Sequence, residues 1–182
     1  MIRLGILASH QGTNFQIIAD ACAEGNLNAQ VVALICNNSN APVIRRANSM
    51  RIPAYHISGS TLSEASELDA AINKRLTSSR TELIILAGYM KKIGPLVLNK
   101  FAGRIINVHP SLLPRYGGQG YFGMRVHEAV IAAGDKETGA TVHHGTETYD
   151  EGEPIRQEKI AVAPGDTPES IAKKLQPIEH RI

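Results

Sequence analysis

Tryptophan is absent from the 182 residues, and Phe and Tyr together bring the aromatic share to only 4%. That is thin material for a base-stacking surface, which argues against single-stranded nucleic-acid binding. Formal net charge is only +2, with the basic residues scattered apart from Arg45-Arg46 and Lys91-Lys92, so no basic face points to a nucleic-acid partner. There are two cysteines, Cys22 and Cys36, too few for a disulfide framework and in neither a CxxC pair nor a Cys/His cluster. We read both as core thiols in a reducing, cytoplasmic setting. No apolar run approaches the roughly 18 residues of a membrane span. The opening stretch breaks at Ser9-His10 without the small-residue cleavage pattern of a signal peptide.

What is present is ordinary globular composition, 43% hydrophobic and 20% charged, in a chain of single-domain size. Short β-branched or apolar runs alternate with segments of helical spacing. Strands are expected at 2–8, 30–36, 53–57, 82–87, 104–108, 139–145 and 155–162. Helices are expected at 14–24, from Pro42 to about Ser49, at 62–76 and at 124–133. A last helix should open at Thr167 as N-cap with Pro168 in its first position. A β-α-β-α-β-α-β series requires parallel strands joined by right-handed crossovers. The expectation is one α/β domain over 1–182: an open, mostly parallel twisted sheet with helices on both faces and late strands that may run antiparallel. In such sheets ligands bind beyond the carboxyl ends of the strands.

Four stretches follow strands and carry chemistry. Ser9-His10-Gln11-Gly12-Thr13-Asn14 leads into a helix whose free N–H groups can take an anion. It matches neither GxGxxG nor a P-loop, so a phosphate monoester fits better than a dinucleotide. Ile105-Ile106-Asn107-Val108-His109-Pro110-Ser111-Leu112-Leu113-Pro114 ends a strand with Asn and His two apart, on one face. A neutral N–H donor beside an imidazole suits an oxygen that becomes negative during acyl transfer. Asp150, with Gly152, lies in the loop 146–154, where a carboxylate opposite His109 could hold its proton. Met90-Lys91-Lys92-Ile93 offers a basic strand end to an anionic ligand tail. Each stretch also has a plainer reading: a tight turn with a cap, a shaped loop, a solvated acid among glutamates, a solvated basic loop. His143-His144 face opposite ways and lack an acid or thiol at ligand spacing, so no metal site is expected. Glu64, Glu67, Asp69, Lys74 and Arg75 read as a solvated helix face.

In this order, and over essentially the whole chain, these segments resemble the phosphoribosylglycinamide formyltransferases, folate-dependent enzymes of purine synthesis. Residues 107–114 match the family signature most closely. Gly12-Thr13-Asn14 stands in the place of the family's phosphate loop, Leu86-Ala87-Gly88-Tyr89-Met90 in that of its folate-site strand end, and Asp150-x-Gly152 in that of its acidic loop. Gln176 and Glu179-His180 resemble the segment that contacts the glycinamide substrate.

The resemblance implies a Rossmann-like formyltransferase fold and transfer of a formyl group from 10-formyltetrahydrofolate to the amine of glycinamide ribonucleotide. It implies Asn107, His109 and Asp150 as the catalytic residues. Gly12, Thr13 and Asn14 would hold the phosphate, Gln176 and Glu179 the glycinamide part, and Met90, Lys91, Lys92, Ile93 and Asn107 the folate. No metal, nucleic acid or membrane is implied, and the assembly would be a monomer or homodimer. The chain departs from the family at Ala65, where an Arg usually reaches toward the folate, and at Glu153 in the acidic loop. Pro177 is expected to interrupt the last helix, beyond which family members usually continue. A formyltetrahydrofolate hydrolase and a transfer-RNA formyltransferase share the centre. The first would be expected to carry an additional N-terminal regulatory domain, whereas this chain opens on its first strand. The second would be expected to carry an additional C-terminal basic domain, for which 182 residues leave no room. A non-catalytic folate- or nucleotide-binding module would not need all three residues.

Overall fold

The computed structural model describes all 182 residues. In chain order the elements are β1 (Ile2–Ala8), α1 (Thr13–Ala23), β2 (Ala29–Cys36), α2 (Pro42–Ser49), β3 (Ala54–His56), α3 (Ala65–Ser78), β4 (Leu83–Leu86), α4 (Pro95–Lys100), β5 (Ile105–His109), α5 (Met124–Ala132), β6 (Glu137–His144), β7 (Pro154–Ala161) and α6 (Pro168–Arg181). The strands follow the order β3-β2-β1-β4-β5-β6-β7. The expected open, mostly parallel α/β sheet is the observed one, with its antiparallel pairing at β6 and β7. The backbone divides into two compact units, Met1–Ile106 and Asn107–Ile182. No helix is long and apolar enough to cross a membrane.

In the first unit β1 pairs in parallel with both β2 and β4, and β2 with β3. The apolar runs of β1 and β2 are buried almost end to end, as strands covered on both faces must be. Side-chain alternation splits them between two cores. Leu4, Ile6 and Ala8 pack with Phe15 and Ala19 of α1 and Val43 and Ala47 of α2. Leu7, Ile35 and Ile84 pack with Ile72 and Leu76 of α3 and Val97 of α4. Cys36 is buried, Cys22 is partly so, and both thiols belong to or pack on the first core. Burial pushes both thiols above their ordinary values, against a smaller opposing effect of backbone hydrogen bonds.

In the second unit β6 and β7 form an antiparallel ladder, with the register shifting between Val142 and His143. Helix α6 packs on α5, β6 and β7. Its start is a reciprocal capping box between Thr167 and Ser170, which satisfies two otherwise unpaired donors.

Three local expectations are corrected. The helix expected from residue 62 begins at Ala65, and Leu62 instead packs against the second core from outside it. Asp69 is not on a solvated face. It is 4% exposed and accepts the N–H groups of Leu96 at 2.7 Å and Val97 at 3.2 Å. It thereby caps α4, a short helix that the sequence pattern did not announce. Pro177 does not interrupt α6, which runs to Arg181 with the proline inside it.

Candidate active site

The second unit gathers three side chains around one carboxylate. Strand β5 ends at His109, and the two-residue spacing places Asn107 and His109 on one side. The chain returns along β6, whose end carries His143, only 2% exposed. The ladder with β7 shifts register just before it, leaving Ile155 of β7 unpaired. The loop after β6 then carries Asp150 at φ 58°, a left-handed conformation that Asp tolerates better than most residues. Gly152 is what lets the loop lie flat here, because a β-carbon would overlap the carbonyl oxygen of His144.

Asp150 Oδ1 accepts from Asn107 Nδ2 at 3.3 Å and lies 3.4 Å from His143 Nε2. Its Oδ2 lies 3.4 Å from His109 Nδ1 and accepts the Gly118 N–H at 3.0 Å. Burial opposes ionisation of this carboxyl. Hydrogen bonding from His109, the charge of His109 and the Gly118 N–H outweigh it and hold Asp150 well below the ordinary carboxylate range. It is an anion through the physiological range.

The hydrogen-bond partners also assign roles to the rings. The Nε2 of His109 is 2.7 Å from the carbonyl oxygen of Tyr116. A carbonyl only accepts, so that nitrogen carries a proton and Nδ1 is the one turned to Asp150. Both nitrogens then face oxygen acceptors, an arrangement that a doubly protonated ring satisfies. The Nδ1 of His143 is 3.0 Å from the His144 carbonyl and donates to it by the same reasoning. Its Nε2 is left to accept from Asn107 Nδ2 at 3.1 Å. The separations of 3.3 and 3.4 Å around Asp150 exceed the 2.7–2.9 Å or so of a tight charge-assisted bond. The Asn107 and His109 donors therefore keep capacity for a further oxygen.

The segment after β5 is pinned from beneath. Leu113 N donates to Thr141 Oγ1, and Gln157 Nε2 donates to both Leu113 O and Thr141 Oγ1. Thr141 Oγ1 in turn donates to Ser111 O at 2.6 Å. A cavity of about 390 Å³ opens beside Asp150, lined by Leu113, Pro114, Gly117, Gly118, Tyr149 and Gly152 among others. The volume suits part of a drug-sized ligand.

Other expected site residues lie in the first unit. Gly12 adopts φ 70° directly before α1, where a β-carbon would overlap Val43. Thr13 and Asn14 form the first turn of α1, and no side chain caps that N-terminus. Ser9, buried at the end of β1, donates to Asn37 Oδ1 at 2.6 Å and accepts Met90 N–H at 2.8 Å. It thus ties the ends of β1 and β2 to the segment after β4. Lys91 and Lys92 are exposed there, whereas Ile93 is buried in the second core. In the second unit, Gln176 is exposed on α6 and Glu179 is half-buried one turn later.

Sequence reasoning missed the place of His143 and Gly118 in this centre. His143 was legible in principle: it shares a face of β6 with the buried Thr141, pointing inward. A backbone N–H such as that of Gly118 leaves no mark in a sequence.

Comparison with known proteins places the chain. The family model described as "Formyl transferase" matches residues 2–182. The phosphoribosylglycinamide formyltransferase of Haemophilus influenzae is 38% identical over 182 residues, spanning 100% of this chain and 84% of that protein. Its namesake from Bacillus subtilis is 35% identical over 181 residues, spanning 100% and 90%. The crystal structure of glycinamide ribonucleotide transformylase 1 from Symbiobacterium toebii superposes with a TM-score of 0.94 at 36% identity, covering 100% of this chain and 84% of that one.

Proposed function

The chain belongs to the formyl transferase family, and from that premise we propose that it moves the formyl group of 10-formyltetrahydrofolate onto the amine of glycinamide ribonucleotide, a step of purine nucleotide synthesis. The observation that carries this reading is the convergence of Asn107, His109 and His143 on the ionised, buried Asp150.

The amine nitrogen attacks the formyl carbon, a C–N bond forms, and the carbonyl electron pair moves onto oxygen. Asn107 Nδ2–H and His109 Nδ1–H are the donors aimed at that oxygen, preset before reaction and shielded from water, where such donors act most strongly. Asp150 balances the charge of His109. It also takes the proton shed by the attacking nitrogen, directly or through water, and returns it to the departing folate nitrogen as that C–N bond breaks. His143 accepts one N–H of Asn107 and so aims the other. Asn107 in this way serves the folate formyl group and the centre together.

The remaining assignments rest on family position and local chemistry. Gly12, Thr13 and Asn14 take the phosphate at the uncapped start of α1. Gln176 and Glu179 take the glycinamide part, with Glu179 on its amine. Met90, Lys91 and Lys92 take the folate, to which buried Ile93 contributes backbone rather than side chain. The same reading makes the enzyme a cytoplasmic monomer or homodimer without a metal.

An absorbance assay of tetrahydrofolate formation, run with and without glycinamide ribonucleotide, tests the proposal. Turnover that needs the amine and is lost in His109→Ala supports it. Turnover with water alone makes the protein a hydrolase, and ligand binding without turnover makes it a binding module.

A further inference from the structure

The His109 ring is held at Nε2 by the Tyr116 carbonyl, and what holds that carbonyl lies outside the centre. Tyr116 has φ 54°, a left-handed conformation that a residue with a bulky side chain keeps only when its surroundings impose it. The Tyr116 side chain is held by Asp135, which follows α5. Tyr116 Oη–H donates to Asp135 Oδ2 at 2.7 Å, and Arg115 Nη2 donates to Asp135 Oδ1 at 2.5 Å. The hydrogen bond from Tyr116, joined by that of Arg115 and opposed by burial, holds the Asp135 carboxyl below its ordinary value. It is therefore an anion and a strong acceptor.

The Tyr116 ring is fixed on two further sides. Tyr121 meets it edge-on, with centroids 5.9 Å apart and planes at 66°. The Arg115 guanidinium lies 5.6 Å from its centroid. One residue earlier, the Arg115 carbonyl accepts buried Ser111 Oγ–H at 2.6 Å, so the peptide entering Tyr116 is tied down as well. Side chains thus fix the backbone, and the backbone fixes the imidazole.

On the reading that this centre transfers formyl groups, we propose that Asp135 is a positioning residue that, through Tyr116 and Arg115, holds the Tyr116 carbonyl on His109 Nε2 and so aims His109 Nδ1 at the reacting oxygen. Asp135 contacts neither His109 nor Asp150 and acts only through this chain of contacts. Without it, Tyr116 relaxes out of its left-handed conformation and the carbonyl leaves. His109 can then turn about its Cβ–Cγ bond, and Nε2, without its acceptor, can lose its proton.

The test uses the full chain and the variants Tyr116→Phe, Asp135→Ala and Asp135→Asn. The expected result is a kcat lowered about fivefold in Tyr116→Phe and in Asp135→Ala, the rate equivalent of one ordinary hydrogen bond. KM for either substrate should stay within about twofold. The double variant should be no worse than either single one, because both break the same connection. Asp135→Asn, which keeps an oxygen acceptor for Tyr116, should recover most of the rate. Long-range proton–nitrogen-15 spectra, with His109 assigned against His109→Ala, should show Nε2 protonated in the wild type and a mixture in the two damaging variants. Wild-type rates with unmoved His109 signals would overturn the proposal, as would additive losses or a loss confined to KM. Should the wild type transfer no formyl group, the functional reading fails. The nitrogen spectra then decide alone, and unmoved signals in both variants overturn the positioning role.

Discussion

Replacing Asp150 with Asn removes the one negative charge at the centre while keeping the size and planarity of the side chain. At the 3.4 Å separation from His109 Nδ1, a unit charge pair in a medium of effective dielectric about 20 interacts by about 5 kcal/mol. Desolvation of the carboxylate offsets part of that, and the other part is felt in full only when His109 must carry charge against a developing oxyanion. If about half survives as differential stabilisation of the transition state, kcat falls by about 50- to 100-fold at tenfold per 1.36 kcal/mol. KM should stay within about threefold, since the charge acts on the transition state rather than on ground-state binding. The assay is steady-state kinetics at pH 7 with both substrates varied, with circular dichroism to confirm an unchanged fold. A variant that keeps kcat within about threefold of wild type, or loses only KM, would refute the reasoning.

The same carboxyl yields a stability prediction whose sign follows from its depressed value. Its contribution is present above the ordinary carboxylate range, about pH 4, and is lost as pH falls through the lower folded value. The denaturation midpoints of wild type and Asp150→Asn should therefore converge as pH drops below about 4, and a gap that widened there would contradict it. Gly152→Ala should destabilise by about 1–3 kcal/mol, because the added carbon overlaps the His144 carbonyl and shifts the loop carrying Asp150. Chemical denaturation reads the cost, and a neutral effect would mean that the loop accommodates the carbon. Asp69→Ala should cost about 1–2 kcal/mol by leaving the Leu96 and Val97 N–H groups without their cap, with kcat unchanged. A fall in kcat at unchanged stability would show that Asp69 does more than cap α4.

Much of the fold can be read from residue order, because both-face burial turns the parallel strands into apolar runs such as 30–36 and 82–87. The antiparallel turn of β6 and β7 was open at that level. The misses have physical causes. Helix α4 is six residues long and depends on a cap donated from α3 by Asp69, a long-range contact that no local window contains. Asp69 itself left a signal, since it shares a helical stripe with Ile72 and Leu76, all three buried. Counting it among the charged residues of α3 hid that. Pro177 suggested a break, yet an interior proline can kink a helix without ending it, and its place on α6 is exposed. In the centre, Asn107 and His109 declared themselves by spacing and Asp150 by family position. His143 was weighed only as a metal ligand beside His144. The Tyr116 carbonyl and the Gly118 N–H, which hold His109 Nε2 and Asp150 Oδ2, belong to the backbone and carry no residue-type signature.

The central claim is that the Asp150 centre moves a formyl group to an amine, and carbon-13 NMR of the reaction with a donor labelled at the formyl carbon tests it most directly. The account predicts that the label appears as the N-formyl group of the glycinamide product, only when the amine substrate is present, and that the signal is lost in His109→Ala. Label released as free formate at the same rate without the amine, or transfer that persists in His109→Ala, would contradict it.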